Sequence, residues 1–190
     1  MADLENLQQG TYGIGGEMVD WTYYDTAILA AATLVHRLFT APLSSAKTLD
    51  ITNMTQAGQV PQGQRLTVRN IKCMFSSNAA IGTATIQKVY DVFSKTVIEL
   101  LIPGKDALLQ VTLQELMGNA SMVAVTPTTA GDNVNINRPR FHGIFPLNQP
   151  LVLAALTPFE IRITHVTAVD AAVADCRLKI GLNGILRRKA

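Results

Sequence analysis

The three histidines are the residues of this sequence best suited to bind a metal or transfer a proton. They are His36, His142 and His165, and each lies in a different segment of the chain. A histidine metal site requires imidazoles that converge within bonding distance, often with a carboxylate beside them. Barrel enzymes that build such a site from separate strands usually carry two of the histidines one residue apart, and this sequence has no such pair. We therefore expect structural or surface histidines and no bound metal.

The acidic and thiol side chains do not form a recognisable catalytic group either. Cys73 and Cys176 lie inside apolar runs, where burial disfavours the thiolate, so that neither is expected to be a nucleophile. Two buried thiols are the favoured interpretation, and one disulfide between them is the alternative. The carboxylates are scattered and form no tight pair suited to acid–base catalysis: Asp91, Glu99, Asp106, Glu115, Glu160 and Asp175.

One glycine-rich stretch, GIGGE at 13–17, is faintly similar to a phosphate-binding loop. Such a loop needs a strand before it and a helix N-terminus after it, so that backbone N–H groups face the phosphates. The sequence offers no room for that strand and opens no helix there. It also lacks the patterns G-x-x-x-x-G-K-[ST], G-x-S-x-G and H-E-x-x-H. We therefore predict a protein that is not an enzyme and that uses no cofactor.

The composition indicates a sparsely charged surface. Charged residues make up 16% of the 190 residues, and hydrophobic residues make up 48%. Because an average globular protein has about a quarter of charged residues, the deficit favours a surface that is partly covered by other subunits. A neutral surface coated with Thr, Asn and Gln is the alternative.

The net charge of +2 gives no strong attraction to nucleic acid. The basic run Arg187-Arg188-Lys189 is a solvated end or a weak contact with phosphates, for instance those of a packaged genome. The N-terminus MADLENLQQG lacks the basic and apolar regions of a signal peptide. The most apolar stretch, 26–35, is too short to cross a bilayer. We expect synthesis in a cytoplasm and no membrane-spanning segment.

Residues 1–24 are predicted to form an arm that precedes a domain over 25–190. Gly10, Gly13, Gly15 and Gly16 break regular structure, and three aromatic residues follow them. Aromatic side chains beside a flexible stretch often anchor it to a neighbouring surface. Candidate contacts with another subunit are therefore Trp21, Tyr23 and Tyr24, and packing on the core of this chain is the alternative.

The remaining chain alternates between apolar and polar residues in the manner of β-strands. In PFEIRITHV, 158–166, Phe159, Ile161, Ile163 and His165 point one way and the residues between them point the other. Further strands are predicted at 65–76, 150–156 and from Cys176 to Leu182. In the first of these, a slip of phase at Arg69-Asn70 fits a bulge.

Helical periodicity is confined to a few places. A helix is predicted over 82–96 and a short one over 112–120, whereas 126–140 is loop-like. The stretch 25–42 fits either a helix or a strand, and a strand is favoured for its second half. Seven or eight strands around one convincing helix predict an all-β sandwich or barrel.

The order of these features resembles the jelly-roll capsid and capsid-associated proteins of bacteriophages. The resemblance rests on the glycine-rich arm and on the stretches AGQVPQGQRLTVRNIKCMF, TIQKVYDVFSK, TVIELLIPGKDALL, FPLNQPLVLAALTPFEIRITHV and DCRLKIGLNGILRRKA. It covers residues 58 to 190 in order and texture, without an invariant motif. It implies a single jelly-roll-like β-sandwich in a virion, working as a trimer or in a larger shell with itself and other capsid proteins as partners. Main shell, cement and decoration roles are equally consistent with it.

Two other classes of function compete with this one. A carbohydrate- or receptor-binding sandwich of a tail or fibre would use exposed aromatic and amide side chains, here Trp21, Tyr23, Tyr24 and the Asn and Asp residues of 131–137. A cupin-like metalloenzyme would use His36, His142 or His165. A glycan array and a metal analysis, respectively, separate these alternatives from a structural role.

Overall fold

The computed structural model describes residues 16–76, 83–118 and 140–189 of the chain. These residues contain eight strands, two short α-helices and a 3-10 turn at Ala171–Val173. The strands are β1 (Gly16–Ile28), β2 (Val35–Leu38), β3 (Gln64–Ser76), β4 (Thr96–Leu101), β5 (Leu109–Thr112), β6 (Arg140–Leu153), β7 (Glu160–His165) and β8 (Arg177–Lys189). The helices are α1 (Thr83–Ser94) and α2 (Leu113–Met117).

The strands form two antiparallel four-stranded sheets. Sheet I has the order β1-β8-β3-β6, and sheet II has the order β2-β7-β4-β5. The pairs are nested, because the first strand pairs with the eighth, the second with the seventh, the third with the sixth and the fourth with the fifth. An antiparallel ribbon of four such pairs that is rolled into two layers is the jelly-roll arrangement. The predicted all-β sandwich is confirmed.

The core lies between the sheets and follows the alternation read from the sequence. In β7, Ile161, Ile163 and His165 are buried and the residues between them are partly exposed. The same alternation buries Ile98 and Leu100 of β4 against them. Period-2 patterning therefore identified the inward face of these strands directly.

The first strand differs from the sequence interpretation. Residues 16–24, which were predicted to belong to an arm, lie in β1 and pair with β8 from Gly16↔Lys189 onward. Glycine-rich sequence does not prevent strand formation where a long partner strand offers hydrogen bonds along its whole edge. The rest of the predicted arm, 1–15, lies outside the described residues, as does 126–139 of the predicted loop.

Most other elements agree with the sequence pattern. The two helices lie within the predicted ranges, and the second half of 25–42 contains β2. The register of β3 shifts between Val68 and Asn70, which confirms the bulge. Gly184 lies within β8 next to this bulge, and only glycine fits there, because an added Cβ would come within 1.9 Å of the Thr67 carbonyl oxygen.

Candidate functional site

Two of the three histidines meet at one end of the core. His36 of β2 and His165 of β7 lie on the inward face of sheet II, with ring centroids 5.3 Å apart and ring planes at 83°. His165 is buried, and its Nδ1 lies 2.8 Å from Thr96 Oγ1 at the start of β4. Within the described part of the chain, the Nε2 atoms of both histidines are buried without a hydrogen-bond partner.

Burial determines the protonation state of this pair. It is the main cause that lowers the pKa of His165 to about 4, and the neighbouring His36 lowers it further. Burial also lowers the pKa of His36 below its ordinary value. Both rings are therefore neutral near pH 7, and an imidazolium in either position would lack an acceptor for its buried Nε2 proton.

A metal site would need more ligands than this pair supplies. Structural and catalytic zinc sites use three or four protein ligands. Among the described residues, no group of three His, Cys, Asp or Glu side chains is placed to hold a metal ion. The backbone of His142 pairs with Met74 in sheet I, whereas His36 and His165 belong to sheet II. The described residues thus bring together two of the three predicted candidates.

A polar cleft of about 230 Å³ borders His165. Two ion pairs line it: Lys88 Nζ lies 3.1 Å from Asp170 Oδ2, and Lys95 Nζ lies 3.4 Å from Asp91 Oδ1. Each lysine has its own carboxylate, so the cleft carries no surplus charge that would attract an ionic substrate. His165 lines the cleft and its Nε2 has no hydrogen-bond partner among the described residues, but this atom is buried and therefore does not face the space, as acid–base catalysis would require.

The one fully buried carboxylate among the described residues belongs to a structural network. Asp25 of β1 accepts hydrogen bonds from the backbone N–H groups of Thr26 and Phe39, at 2.9 and 2.5 Å. Its Oδ2 also lies 2.6 Å from Lys47 Nζ, whose side chain is largely covered. These contacts tie β1 to the end of β2 and to the loop that follows. Sequence reasoning missed this network, since two of the partners are 14 and 22 residues from Asp25.

The adjoining loop also covers the outer edge of β1. Asn53 donates from Nδ2 to the Thr22 carbonyl oxygen and accepts at Oδ1 from the Tyr24 N–H, so its side-chain amide replaces a partner strand. Edge strands that are covered in this way do not pair with other chains. The free edge of β1 is therefore not available over this stretch for contacts between subunits.

The three aromatic residues proposed as intersubunit contacts occupy different environments. Tyr23 is buried in the core, and its hydroxyl donates to Gln64 Oε1 at 3.0 Å. Tyr24 points outward, but Lys179 Nζ lies 4.6 Å from the centre of its ring. Trp21 is 38% exposed and packs edge-to-face against Tyr23. The structure thus leaves Trp21 as the accessible member of this group.

The C-terminal basic run is part of a central strand. Arg187, Arg188 and Lys189 lie in β8 between β1 and β3. Arg188 Nε lies 2.7 Å from Glu17 Oε2, and Arg187 is paired in register with Arg65 of β3. The described run is therefore held in a sheet, which fixes the direction in which its side chains leave the backbone.

Large hydrophobic side chains are exposed on several parts of the surface. Leu34, Val35 and Val166 are exposed where β2 and β7 meet at an edge of sheet II, next to the hydrogen bond from the His165 N–H to the Leu34 carbonyl oxygen, and Val166 is 70% exposed. Met74, Ile144 and Val152 lie on the outward face of β3 and β6, where Ile144 is 60% exposed. Single exposed hydrophobic residues are ordinary, but groups of neighbours mark surfaces that contact other molecules.

Comparison with known proteins adds no assignment. No protein-family model matches the chain, and no curated protein is similar to it. Among the described helices, none has the length and apolar character needed to span a bilayer.

Proposed function

We propose that the chain is a non-enzymatic virion structural protein that assembles through subunit contacts into or onto a phage capsid shell. The observation that carries the proposal is the nested order of eight strands in two sheets, together with grouped hydrophobic side chains on the outside of the sandwich. Jelly-roll sandwiches build viral capsids, and also lectins and cupins, so the fold alone does not select among them.

The character of the surface favours assembly over the other two classes. Two exposed apolar groups, one around Val166 and one around Ile144, lie on different sheets of the same subunit. A subunit with two separate contact surfaces can bind one neighbour on each, which produces rings or shells rather than only pairs. The polar features of the interior are occupied: the carboxylate of Asp25 has three donors, and the lysines of the cleft have carboxylates.

Light scattering coupled to size exclusion, with electron microscopy of the same fractions, tests the proposal. We expect trimers, larger oligomers or ordered particles. Val166→Asp and Ile144→Asp should each weaken assembly, because each places a charge in a contact that has to be dry. Gln62→Asp adds the same charge at an exposed turn and is the matched control. A protein that stays monomeric at high concentration and forms no particles contradicts the proposal.

A second candidate, a cupin-like metal-binding protein, is favoured by one observation. The buried Nε2 atoms of His36 and His165 lack partners among the described residues, and a metal ion would use such lone pairs. Metal analysis after mild purification separates the two functions. One metal ion per chain that is lost in His165→Gln would support this candidate, whereas substoichiometric metal in the unaltered protein would exclude it.

A further inference from the structure

We propose that the outward face of sheet I binds the phosphate groups of nucleic acid, chiefly through Arg65, Arg69 and Lys72 of β3. All three side chains are exposed. Arg65 and Lys72 share the outward face by register, and Arg69 is exposed at the bulge between them. The strand is the third of four in its sheet, so these cations lie near the middle of a broad surface and not at an edge.

These three cations differ from most others in the described part of the chain. No described carboxylate forms an ion pair with any of them, whereas seven other cations each have one: Arg37, Lys47, Lys88, Lys95, Arg162, Arg177 and Arg188. A cation in an ion pair must break that pair before it can bind a phosphate. An unpaired one releases only water and small ions, which is the favourable step in phosphate binding.

The neighbouring strand β8 adds cations to the same face. Arg187 lies directly opposite Arg65, and Lys179 lies opposite Met74, two residues from Lys72. Arg177 completes the row, although it also contacts Asp50 Oδ2 at 3.2 Å. The carboxylates that share this face are Asp20 of β1 and Asp50. Among the described side chains of this face, six cations therefore stand against two carboxylates, in contrast with the net charge of +2 for the whole chain.

The outward face of sheet II shows that this concentration of charge is specific to one side of the sandwich. A shallow groove there is lined by Arg37, Glu99 and Arg162. Arg37 pairs with Glu160 at 2.5 Å, and Arg162 pairs with Glu99 at 2.7 Å, so this face is neutral. A polyanion would therefore be drawn to sheet I in preference to sheet II.

The dimensions and chemistry of the face identify the type of partner. At a rise of about 3.4 Å per residue, the distance from Arg65 to Lys72 is roughly 20 Å, which is the length of about six base pairs. The only aromatic side chain on the outward face of β1, Tyr24, is already covered by Lys179. Because single-strand readers stack bases on open aromatic rings, this face should bind phosphates without preference for sequence and accept single strands and duplexes alike.

Binding of phosphates does not depend on the proposed function, but its identification with a packaged genome does. In a shell, the cationic face would turn toward the interior, and the apolar groups around Val166 would be available for neighbours. Assembly through the group around Val166 would then use a different surface from phosphate binding, whereas Ile144 lies directly opposite Lys72 on the cationic face itself.

Fluorescence anisotropy with labelled oligodeoxythymidine and duplex DNA of about 20 nucleotides, in about 50 mM salt, tests the inference. We expect both probes to bind, with log K falling by about 3 to 5 for each tenfold rise in salt. Arg65→Gln/Arg69→Gln/Lys72→Gln should weaken binding more than tenfold and reduce that slope. The control Arg37→Gln/Lys88→Gln/Lys105→Gln removes the same charge elsewhere and should change affinity by less than about twofold.

The single variant Arg69→Gln provides a test if the triple variant misfolds. It should reduce the slope of log K against log salt by about one. Absence of binding to either probe overturns the inference, and so does an equal loss in the two triple variants. Light scattering on the same samples keeps this test apart from assembly. Oligomers that bind no DNA refute only the cationic face, whereas monomers that bind DNA refute only the proposed shell.

Discussion

Lowering the pH should destabilise the protein through the histidine pair, and the structure fixes the direction. Burial and the neighbouring His36 lower the pKa of His165 to about 4 from its ordinary value of 6.5. Between these two values the unfolded chain binds a proton that the folded chain does not. With respect to His165, the free energy of unfolding therefore has its full value above about pH 6.5 and decreases as the pH is lowered toward 4.

The size of the effect follows from the two pKa values. Their difference corresponds to about 3 kcal/mol, at about 1.4 kcal/mol for each pH unit, and about 2 kcal/mol of this is lost by pH 5. A domain typically has only about 5–15 kcal/mol of net stability. Burial of His36 lowers its pKa also, which adds a loss of the same sign.

Denaturant titrations at pH 5, 6, 7 and 8 measure this dependence. The histidines dominate between about pH 5 and 7, because hydrogen bonds and ion pairs hold the pKa values of several carboxyl groups below their usual range, so that their stabilisation is lost at lower pH. These groups are Glu17, Asp50, Glu115 and Asp170. In His165→Gln, most of the pH dependence in this window should disappear. In His36→Gln, the pKa of His165 should rise, since a neighbouring positive charge is removed.

Two results would refute this reasoning. The first is a His165→Gln variant that keeps the full pH dependence of the unaltered protein between about pH 5 and 7. The second is an NMR titration in which the imidazole of His165 has a midpoint near 6.5, since that would place the ring in water rather than against His36 and Thr96.

Two further predictions concern buried polar and thiol groups. Asp25→Ala should lower the free energy of unfolding by about 3–5 kcal/mol, because Lys47 and two backbone N–H groups lose their acceptor. The control Asp50→Asn, in an exposed ion pair, should lower it by less than about 1 kcal/mol. Equal losses for the two variants in a denaturant titration would contradict the structural role of Asp25. Burial raises the pKa of the Cys73 thiol to about 12. A thiol reagent at about pH 8 should therefore modify Cys73 only after denaturation. Rapid labelling of Cys73 in the native protein, measured by mass spectrometry, would show that β3 is not packed as described.

Much of the fold could be predicted because alternation reports directly which residues face the core. The strands β3 and β7 and both helices lie where the pattern placed them, and β8 begins there but continues to Lys189. The alternation did not predict β1. The side chains of residues 16–22 are mostly exposed, and this part of the strand is held by pairing with β8 rather than by burial. Hydrogen bonds to a distant strand leave no local trace in the sequence, so an edge strand of this kind resembles an arm.

The sites were harder to predict because they depend on distant pairs. His36 and His165 become neighbours only when β2 pairs with β7, and Arg187 lies beside Arg65 only when β8 enters the sheet next to β3. The cations of β3, taken alone, are widely spaced along one strand, which is also typical of a solvated face. The charge of the face becomes apparent when the strand order is known.

The alternation that builds the core also explains how one small sandwich can carry several independent features. Inward residues of β3 such as Ile71 and Cys73 are fixed by packing, whereas outward residues between them, such as Lys72, are free to vary without disturbing it. The cationic face therefore costs the core nothing, and the apolar group around Val166 lies on the other sheet. The histidine pair is different, because it lies on the inward side, where a change of protonation must act on packing. Val166→Asp and the β3 substitutions should thus separate assembly from DNA binding, while acid should weaken both together by loosening the shared core.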